Sequence, residues 1–536
     1  MESQDLQMQG ASSLFDAKSI AILGDSDKPG RGQIMREHLR DLNFTGNIYS
    51  VNPKYSNIEG RRCFNTLSEL PEKPDLVAVL LRASSAVAAL DEIVSSGARA
   101  AVIVASGFVE IGTEGLKLQE ELRRKARSAN LEICGPNCYG IVNLHSGFAA
   151  YSGSLPSQLK QGNIAFFSQS GALTHAVLNP ASRRGIGFSL IASTGNEAVT
   201  TLADYIRVAI KDLHTKVIAL FVEGLRDTPH FVDALVEARE AGKAVVICKV
   251  GRSALAQQAA TAHSGAVTGN DVAFTALCDA TGAIRVNSLN DLIETMVLLS
   301  SGVVIREPVA FISISGGGNG LIADSALENN IALSELTEST KEKLRQVLPD
   351  FASASNPLDL TGAVGENPAI TINSVNTLRN AQEVGLVAFA INTGTADNLL
   401  ESDFYKSLMD QASQKKDPAR SDLLFFTMTS GPIDDEFQEI PHKRKTPLLA
   451  GLETTLKSLS AVIHKSQRSG WKREVGVRDF SGSRINVPES LAKKILKSHG
   501  IDIPEEIEVH TPVEAITAAG KIGFPVVIKS NSSLIP

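Results

Sequence analysis

Cysteine is scarce in this 536-residue chain, with five residues, odd in number and scattered. That excludes a disulfide framework and points to a reducing compartment. Aromatic residues make up 5% and tryptophan occurs once, so composition defines no aromatic pocket. Positive charge is not in excess: the formal net charge is -7. Nucleic acid and anionic membrane are therefore poor main partners, and only local basic pockets remain to hold phosphate. No apolar run approaches the roughly 18 residues of a membrane span. The N-terminal MESQDLQMQG has no basic start followed by an apolar core, so no secretory signal is read there. The expectation is a soluble protein of the cytoplasm. No G-x-x-x-x-G-K-[ST] occurs, which excludes a Walker-type nucleotide site. Disorder is excluded as the main state, because 43% of the residues are hydrophobic, enough for several cores.

What is present is an alternation of short apolar runs, glycine or serine turns and amphipathic helical stretches, the pattern of parallel α/β units. One block runs through SIAILG, NIYSVN, DLVAVLL, AAVIVAS and LEICGPN; a second through NIAFFSQSG, GFSLIASTG, KVIALFVEG and AVVICKVG. A third contains VAFISISGGGNG, VGLVAFAIN, DLLFFTMTS and TPLLAGL. The runs are nearly continuous in apolar residues, as strands covered on both faces require. Linkers are expected near 146–161, 302–307 and 467–483. From about Val487 the pattern changes to two helices and a strand in PVVIKS, stopping after one strand at Pro536. A truncated final domain is expected.

Three glycine-bearing turns follow first strands. In GDSDKPGRG, Gly24, Ser26, Lys28 and Arg31 stand where backbone N–H groups and cations can meet a phosphate. The spacing is not G-x-G-x-x-G, so this is no clean dinucleotide fingerprint. Val51, Asn52, Pro53 and Lys54 close the second strand on the same carboxyl edge. The turns Ser168-Gln169-Ser170-Gly171 and Ser315-Gly316-Gly317-Gly318-Asn319-Gly320 head corresponding positions of the second and third blocks. Each offers a helix N-terminus and hydroxyl donors to an anion, and each also fits a plain strand-to-helix turn. SQSG lacks the leading glycine of a hydrolase elbow. His263 sits in a small-residue run, GRSALAQQAATAHSGAVTGND, suited to a loop that moves and packs closely. Glu223, at the end of KVIALFVEG, is a carboxylate able to fix its tautomer, leaving the other nitrogen as nucleophile. A structural histidine and an ordinary strand-end acid fit the same positions. Cys134 and Cys138 lack a second pair and read as buried thiols near a turn, not a zinc site.

With these motifs, and with ASGFVEIGTEG, CGPNCYG, STGNEA, FVEGLRD and NPLDLTG in fixed order, the chain resembles the NDP-forming (ADP-forming) acyl-CoA synthetases, relatives of succinyl-CoA synthetase. The resemblance runs from about Leu14 to the end. It implies a Rossmann-like CoA-binding domain over 1–145, two flavodoxin-like ligase domains over 146–304 and 305–470, and the beginning of an ATP-grasp domain over 484–536. It implies acyl-CoA formation from a carboxylic acid, CoA and ATP through an acyl phosphate and a phosphohistidine. His263 would carry the phosphate, Glu223 support it, and the two serine-glycine turns hold it. Gly24–Arg31, Val51–Lys54, Ser106 and Gly107 would contact CoA, and Lys529 the nucleotide. Magnesium ligands would lie beyond the last residue, so no metal site is expected in this stretch. The implied partners are a small carboxylic acid and a second copy in a homodimer, without nucleic acid or membrane. Two alternatives are the synthetase-like region of a protein lysine acyltransferase, against which the presence of His263 speaks, and a CoA-sensing module, in which His263→Ala would change nothing.

Overall fold

The computed structural model describes residues 10–253, 255–256, 270–361, 367–391, 399–413, 420–468, 489–498 and 502–529. The chain divides into two compact units, Met1–Trp471 and Lys472–Pro536. Among the described residues the first unit contains three sheets. The first is built from β1 (Ser19–Leu23), β2 (Asn47–Val51), β3 (Asn57–Ile58), β4 (Arg61–Phe64), β5 (Leu76–Val79), β6 (Ala100–Ile103) and β7 (Glu132–Cys134), in the order 3-4-2-1-5-6-7. Apart from the β3–β4 hairpin its pairs are parallel, and β1 lies between β2 and β5. This is the Rossmann-like strand order.

The second sheet takes β8 (Gly140–Asn143), β9 (Phe148–Tyr151), β10 (Lys160–Ser168), β11 (Gly187–Ser193), β12 (Val217–Val222), β13 (Ala244–Lys249) and β14 (Ile284–Val286), in the order 14-13-12-10-11-8-9. The third takes β15 (Val309–Ser313), β16 (Leu358–Asp359), β17 (Leu386–Ile391), β18 (Asp422–Thr427) and β19 (Leu448–Leu449), in the order 16-15-17-18-19. Counted from β10 and from β15, both parallel sets run 2-1-3-4-5, the flavodoxin-like order.

Apolar continuity along these strands has a simple cause. In β10 and β12, Phe167 and Leu220 enter one buried cluster while their neighbours Phe166 and Ala219 enter another on the opposite face. A strand whose alternate residues are all buried must be apolar throughout. The first of these clusters also contains Ile20, Ile22, Leu76 and Val102 of the first sheet, so the first two sheets share one core. Phe15 packs edge-on against Tyr205 and 6.4 Å from Phe167 across it. Each such fully buried ring contributes about 1.5–3 kcal/mol.

The structure departs from the sequence expectation in three places. The hairpin β8–β9 straddles residue 145, where the first domain was expected to end, and pairs antiparallel with β11 at the edge of the second sheet. The chain therefore passes from one sheet to the next at 135–139, and the expected 146–161 linker contains β9 and the first residues of β10. Short strands such as β14 and β16 were not expected at all. In the second unit, helices Glu489–Ser498 and Pro512–Ile522 form as expected, the latter capped by Thr511. Residues 526–529 do not form the expected strand: Val527 and Ile528 are exposed and no ladder partner occurs among the described residues. No helix of the described residues is long and apolar enough to cross a membrane.

Candidate functional site

In an open α/β sheet, ligands bind outside the carboxyl ends of the strands, at the point where strand order reverses. Here β1, β10 and β15 are the reversal strands of their sheets: each is the first strand of its parallel set and lies between the second and a later one, the fourth for β1 and the third for β10 and β15. The three glycine-bearing turns singled out above follow these three strands.

At the first, Gly24 has φ 85°, a backbone that favours glycine, and a Cβ there would lie 2.8 Å from Leu81. Its N–H bonds Val51 O at 2.8 Å, tying the ends of β1 and β2 together. Asp25, fully buried, organises the turn. Its carboxylate accepts from the Arg36 guanidinium, from Ser50 Oγ at 2.6 Å and from Ser26 N at 2.8 Å, and its carbonyl accepts from Asn52 Nδ2 at 2.6 Å. A Cβ at Gly32 would come within 2.0 Å of Asp25 Oδ1, so this glycine lets the helix Arg31–Asp41 start against the carboxylate. Ser26 Oγ then accepts from Lys28 N, and Asn52 Oδ1 from Lys54 N, each at 3.0 Å. Lys28, Arg31, Pro53, Lys54 and Ser106 are exposed along this edge, while Val51 is buried. Gly107 N is already bonded to Glu110 Oε1 at 2.7 Å. What Gly107 offers a ligand is close approach, not a free donor.

The second and third turns share one hydrogen-bond device. Ser168 Oγ donates to Ser170 O at 2.8 Å and accepts from Ser170 N at 3.2 Å. Ser313 Oγ donates to Ser315 O at 2.9 Å and accepts from Ser315 N at 3.1 Å. Each device turns the chain from strand into helix, at Gly171–Arg183 and Gly316–Glu328. The first helix has no side-chain cap, which leaves its leading N–H groups and their partial positive charge open to an anion. A Cβ at Gly171 would strike the Tyr139 ring at 2.9 Å. In the second helix Ser315 Oγ caps Gly318 N at 3.2 Å, and Ser315, Gly316, Gly317 and Gly320 are exposed.

Gln169 differs from the phosphate-holding role expected of it. Its side-chain amide is buried, with Nε2 bonded to Glu197 Oε1 at 3.0 Å and Gly224 O at 2.8 Å. Its Oε1 accepts from Glu223 N at 2.6 Å and Gly224 N at 3.0 Å. Those bonds take up the side chain, and the backbone N–H already donates to Phe221 O at 3.2 Å, so neither is left for an anion. Glu223 follows β12 directly and is half-buried. His263, Gly265 and Gly269 lie outside the described residues. The residues bounding their segment are well tied: Arg252 Nη1 bonds Asn287 at 3.0 Å, Asp271 pairs with Arg285, and Asn270 caps the helix Asp271–Thr281. Lys529 lies in the second unit. Cys134 and Cys138 are buried with sulfurs 3.8 Å apart, and burial pushes the Cys138 thiol up. Among the described residues no group of three His, Cys, Asp or Glu side chains is placed to hold a metal ion.

Glu197 lies within STGNEA, where no local pattern marks it as a site residue. Burial pushes its carboxyl up to about 7 from an ordinary 4.5, against hydrogen bonds from Gln169 and Thr194 and the charge of Arg226. Between those values the folded chain holds a proton that the unfolded chain releases, so acidification through this range favours the fold. Glutamine cannot titrate. The stability of the wild type relative to Glu197→Gln should therefore rise as pH falls from about 8 to about 5. Urea midpoints of the two proteins measure it, and a gap constant with pH would contradict it.

Comparison with known proteins agrees with this layout. Family models match in sequence order: a CoA binding domain over 18–143, a succinyl-CoA ligase like flavodoxin domain over 161–299, and a Ligase-CoA domain over 309–389. The chain is 32% identical over 355 residues to the alpha subunit of acetate–CoA ligase (ADP-forming) I of Pyrococcus furiosus, covering 65% of this chain and 76% of that one. It is 27% identical over 543 residues to the 4-hydroxybutyrate–CoA ligase (ADP-forming) of Nitrosopumilus maritimus, covering 98% and 76%. A trans-feruloyl-CoA synthase is 29% identical over 546 residues, covering 97% and 74%. In fold, the chain is similar to acetyl-coenzyme A synthetase 1 of Ca. Korarchaeum cryptofilum, solved with phosphate and ADP, with a TM-score of 0.74 at 24% identity, covering 86% and 97%.

Proposed function

The chain belongs to the ADP-forming acyl-CoA ligases, and from that premise we propose that it joins a small carboxylic acid to CoA while ATP is cleaved to ADP and phosphate. The observation that carries this reading is the coincidence of three anion-suited turns with the three reversal strands. A carboxylate is a poor acyl donor because its oxygen is a poor leaving group. Transfer of the γ-phosphoryl group first to His263 and then to the acid creates an acyl phosphate. The CoA thiol attacks its carbonyl carbon, the thioester forms, and phosphate leaves with the bonding electrons. Such transfers depend on position and on neutralised phosphate charge. The helix beginning at Gly171 supplies uncapped N–H groups, and the one at Gly316 supplies glycine backbone that a phosphate can approach. Glu223 accepts a hydrogen bond from the imidazole nitrogen that is not phosphorylated. The edge formed by Gly24–Arg31, Val51–Lys54 and Ser106–Gly107 takes CoA. Its exposed Lys28, Arg31 and Lys54 suit the phosphates, and its glycines suit close approach.

Lys529 is assigned to the nucleotide. ATP would bring Mg2+, whose ligands would lie beyond residue 536. Assembly as a homodimer and residence in the cytoplasm belong to the same proposal. The alpha-subunit names among the relatives are compatible with multi-subunit assembly. The test is a panel of carboxylic acids, from acetate and hydroxybutyrate to ferulate, given to the full-length protein with CoA and ATP. The expected result is a CoA thioester from at least one acid with one ADP released per thioester. Release of AMP instead, or ADP release uncoupled from thioester with every acid, would contradict the proposal.

A further inference from the structure

Two adjacent buried side chains, Asn196 and Glu197, reach in opposite directions toward the two halves of the site. Each is 3% exposed. They sit on the turn after β11, where Gly195 has φ 61° and Glu197 has φ 53°. A Cβ at Gly195 would lie 2.3 Å from Pro136 O, so the turn is pressed against the CGPN loop. Asn196 N bonds Pro136 O at 2.9 Å and Ala198 N bonds Gly135 O at 3.0 Å, which fixes it there.

From this turn Asn196 Nδ2 donates to Glu110 Oε2 at 2.9 Å and to Gln119 Oε1 at 3.0 Å. The other oxygen of Glu110 accepts from Gly107 N at 2.7 Å and Phe108 N at 3.2 Å. Asn196 thus holds the backbone of the CoA edge through one carboxylate. Glu197 Oε1 accepts from Thr194 Oγ1 at 2.8 Å and from Gln169 Nε2 at 3.0 Å, and Oε2 accepts from Leu202 N at 3.3 Å. Gln169 in turn clamps Glu223 and Gly224 through three backbone bonds. The bonds that join Asn196 to Gln119, and Glu197 to Gln169 and Thr194, are buried, where water cannot replace a lost partner without cost.

We propose that the Asn196–Glu197 pair is a positioning element that sets the CoA edge at Gly107 and the backbone of Glu223 in one fixed register. It rests on the roles given above to Gly107 and Glu223. Both arms leave one tight turn, so the turn fixes the spacing between the two edges while each side chain holds its own edge. Transfer from phosphohistidine to acyl group to thiol needs the reacting atoms aligned closely, and misplacement by about 1 Å costs on the order of 10²-fold.

The two arms separate in the kinetics of the full-length protein. Glu197→Ala frees Gln169 and should lower kcat about 10–100-fold with the CoA KM changed less than about threefold. Glu197→Gln keeps an acceptor oxygen for Gln169 and should restore activity to within about fivefold of wild type. Asn196→Ala should raise the CoA KM about tenfold or more. Hydrogen–deuterium exchange reads the mechanism directly: Glu197→Ala, or Thr194→Val if the alanine variant does not fold, should speed exchange of the Glu223 and Gly224 amides about tenfold. Exchange at wild-type rates, or Glu197→Gln as impaired as Glu197→Ala, overturns the inference. Failure of the underlying reading looks different, because His263→Ala would then retain full turnover.

Discussion

Replacing His263 with asparagine is expected to lower acyl-CoA formation at least about 10⁴-fold, the scale of losing a covalent nucleophile. Asparagine keeps polarity and much of the volume but has no ring nitrogen that can carry a phosphoryl group. CoA affinity should be unchanged, because the CoA edge is built from β1, β2 and β6 and organised by Asp25, Asn52 and Glu110. Steady-state thioester formation measures the first quantity and calorimetric titration of CoA the second. Loss of both together would mean that the residue supports the fold. Full turnover would remove the shuttle altogether.

The largest stability effect is expected at Glu294. This carboxylate is buried where the second and third sheets are joined. Its Oε1 accepts from the Arg184 guanidinium and its Oε2 from Ala450 N at 2.9 Å, while Arg184 Nη2 donates to Leu448 O at 2.5 Å. Side-chain exposure is 10% for Arg184 and 6% for Glu294. Burial pushes the Glu294 carboxyl up, and Arg184 and the Ala450 N–H oppose that rise. Beside it, helix Leu289–Ser301 lies against helix Leu452–Arg468, with Thr295 Oγ1 3.1 Å from Ser458 Oγ. Glu294→Ala leaves a buried guanidinium without its counter-charge, an error that costs about 3–5 kcal/mol. Replacing both partners, as Arg184→Met with Glu294→Leu, removes the unpaired charge and should recover most of that loss. Urea unfolding followed by circular dichroism is the measurement. A change below about 1 kcal/mol for the single variant would show that water or another group takes over the pairing.

The fold was legible where physics acts locally. Continuous apolar runs announced doubly covered strands, and serine-glycine turns after Phe167 and Ile312 announced the two strand-to-helix junctions. The hairpin 140–151 was not legible, because its four-residue strands carry no period and their partner β11 lies some 50 positions later. Asp25 looked like one of several polar loop residues in GDSDKPG. Its burial depends on Arg36 and Ser50, which no local pattern ties to it. Glu197 was hidden for the same reason, since its partner Gln169 is 28 residues away. Gln169 itself was read as a phosphate ligand on its neighbours' account, whereas tertiary contact turned its amide toward Glu223. The role of His263 came from family resemblance, and composition told only that its loop is made of small residues.

Isotope transfer from [γ-³²P]ATP to the full-length protein tests the shuttle most directly. The account predicts an acid-labile, base-stable label on His263, released as phosphate when the cognate acid and CoA are added, with the thioester appearing in equal amount. A wild-type protein that makes thioester while no residue takes up label, or a label that survives addition of acid and CoA, would contradict it.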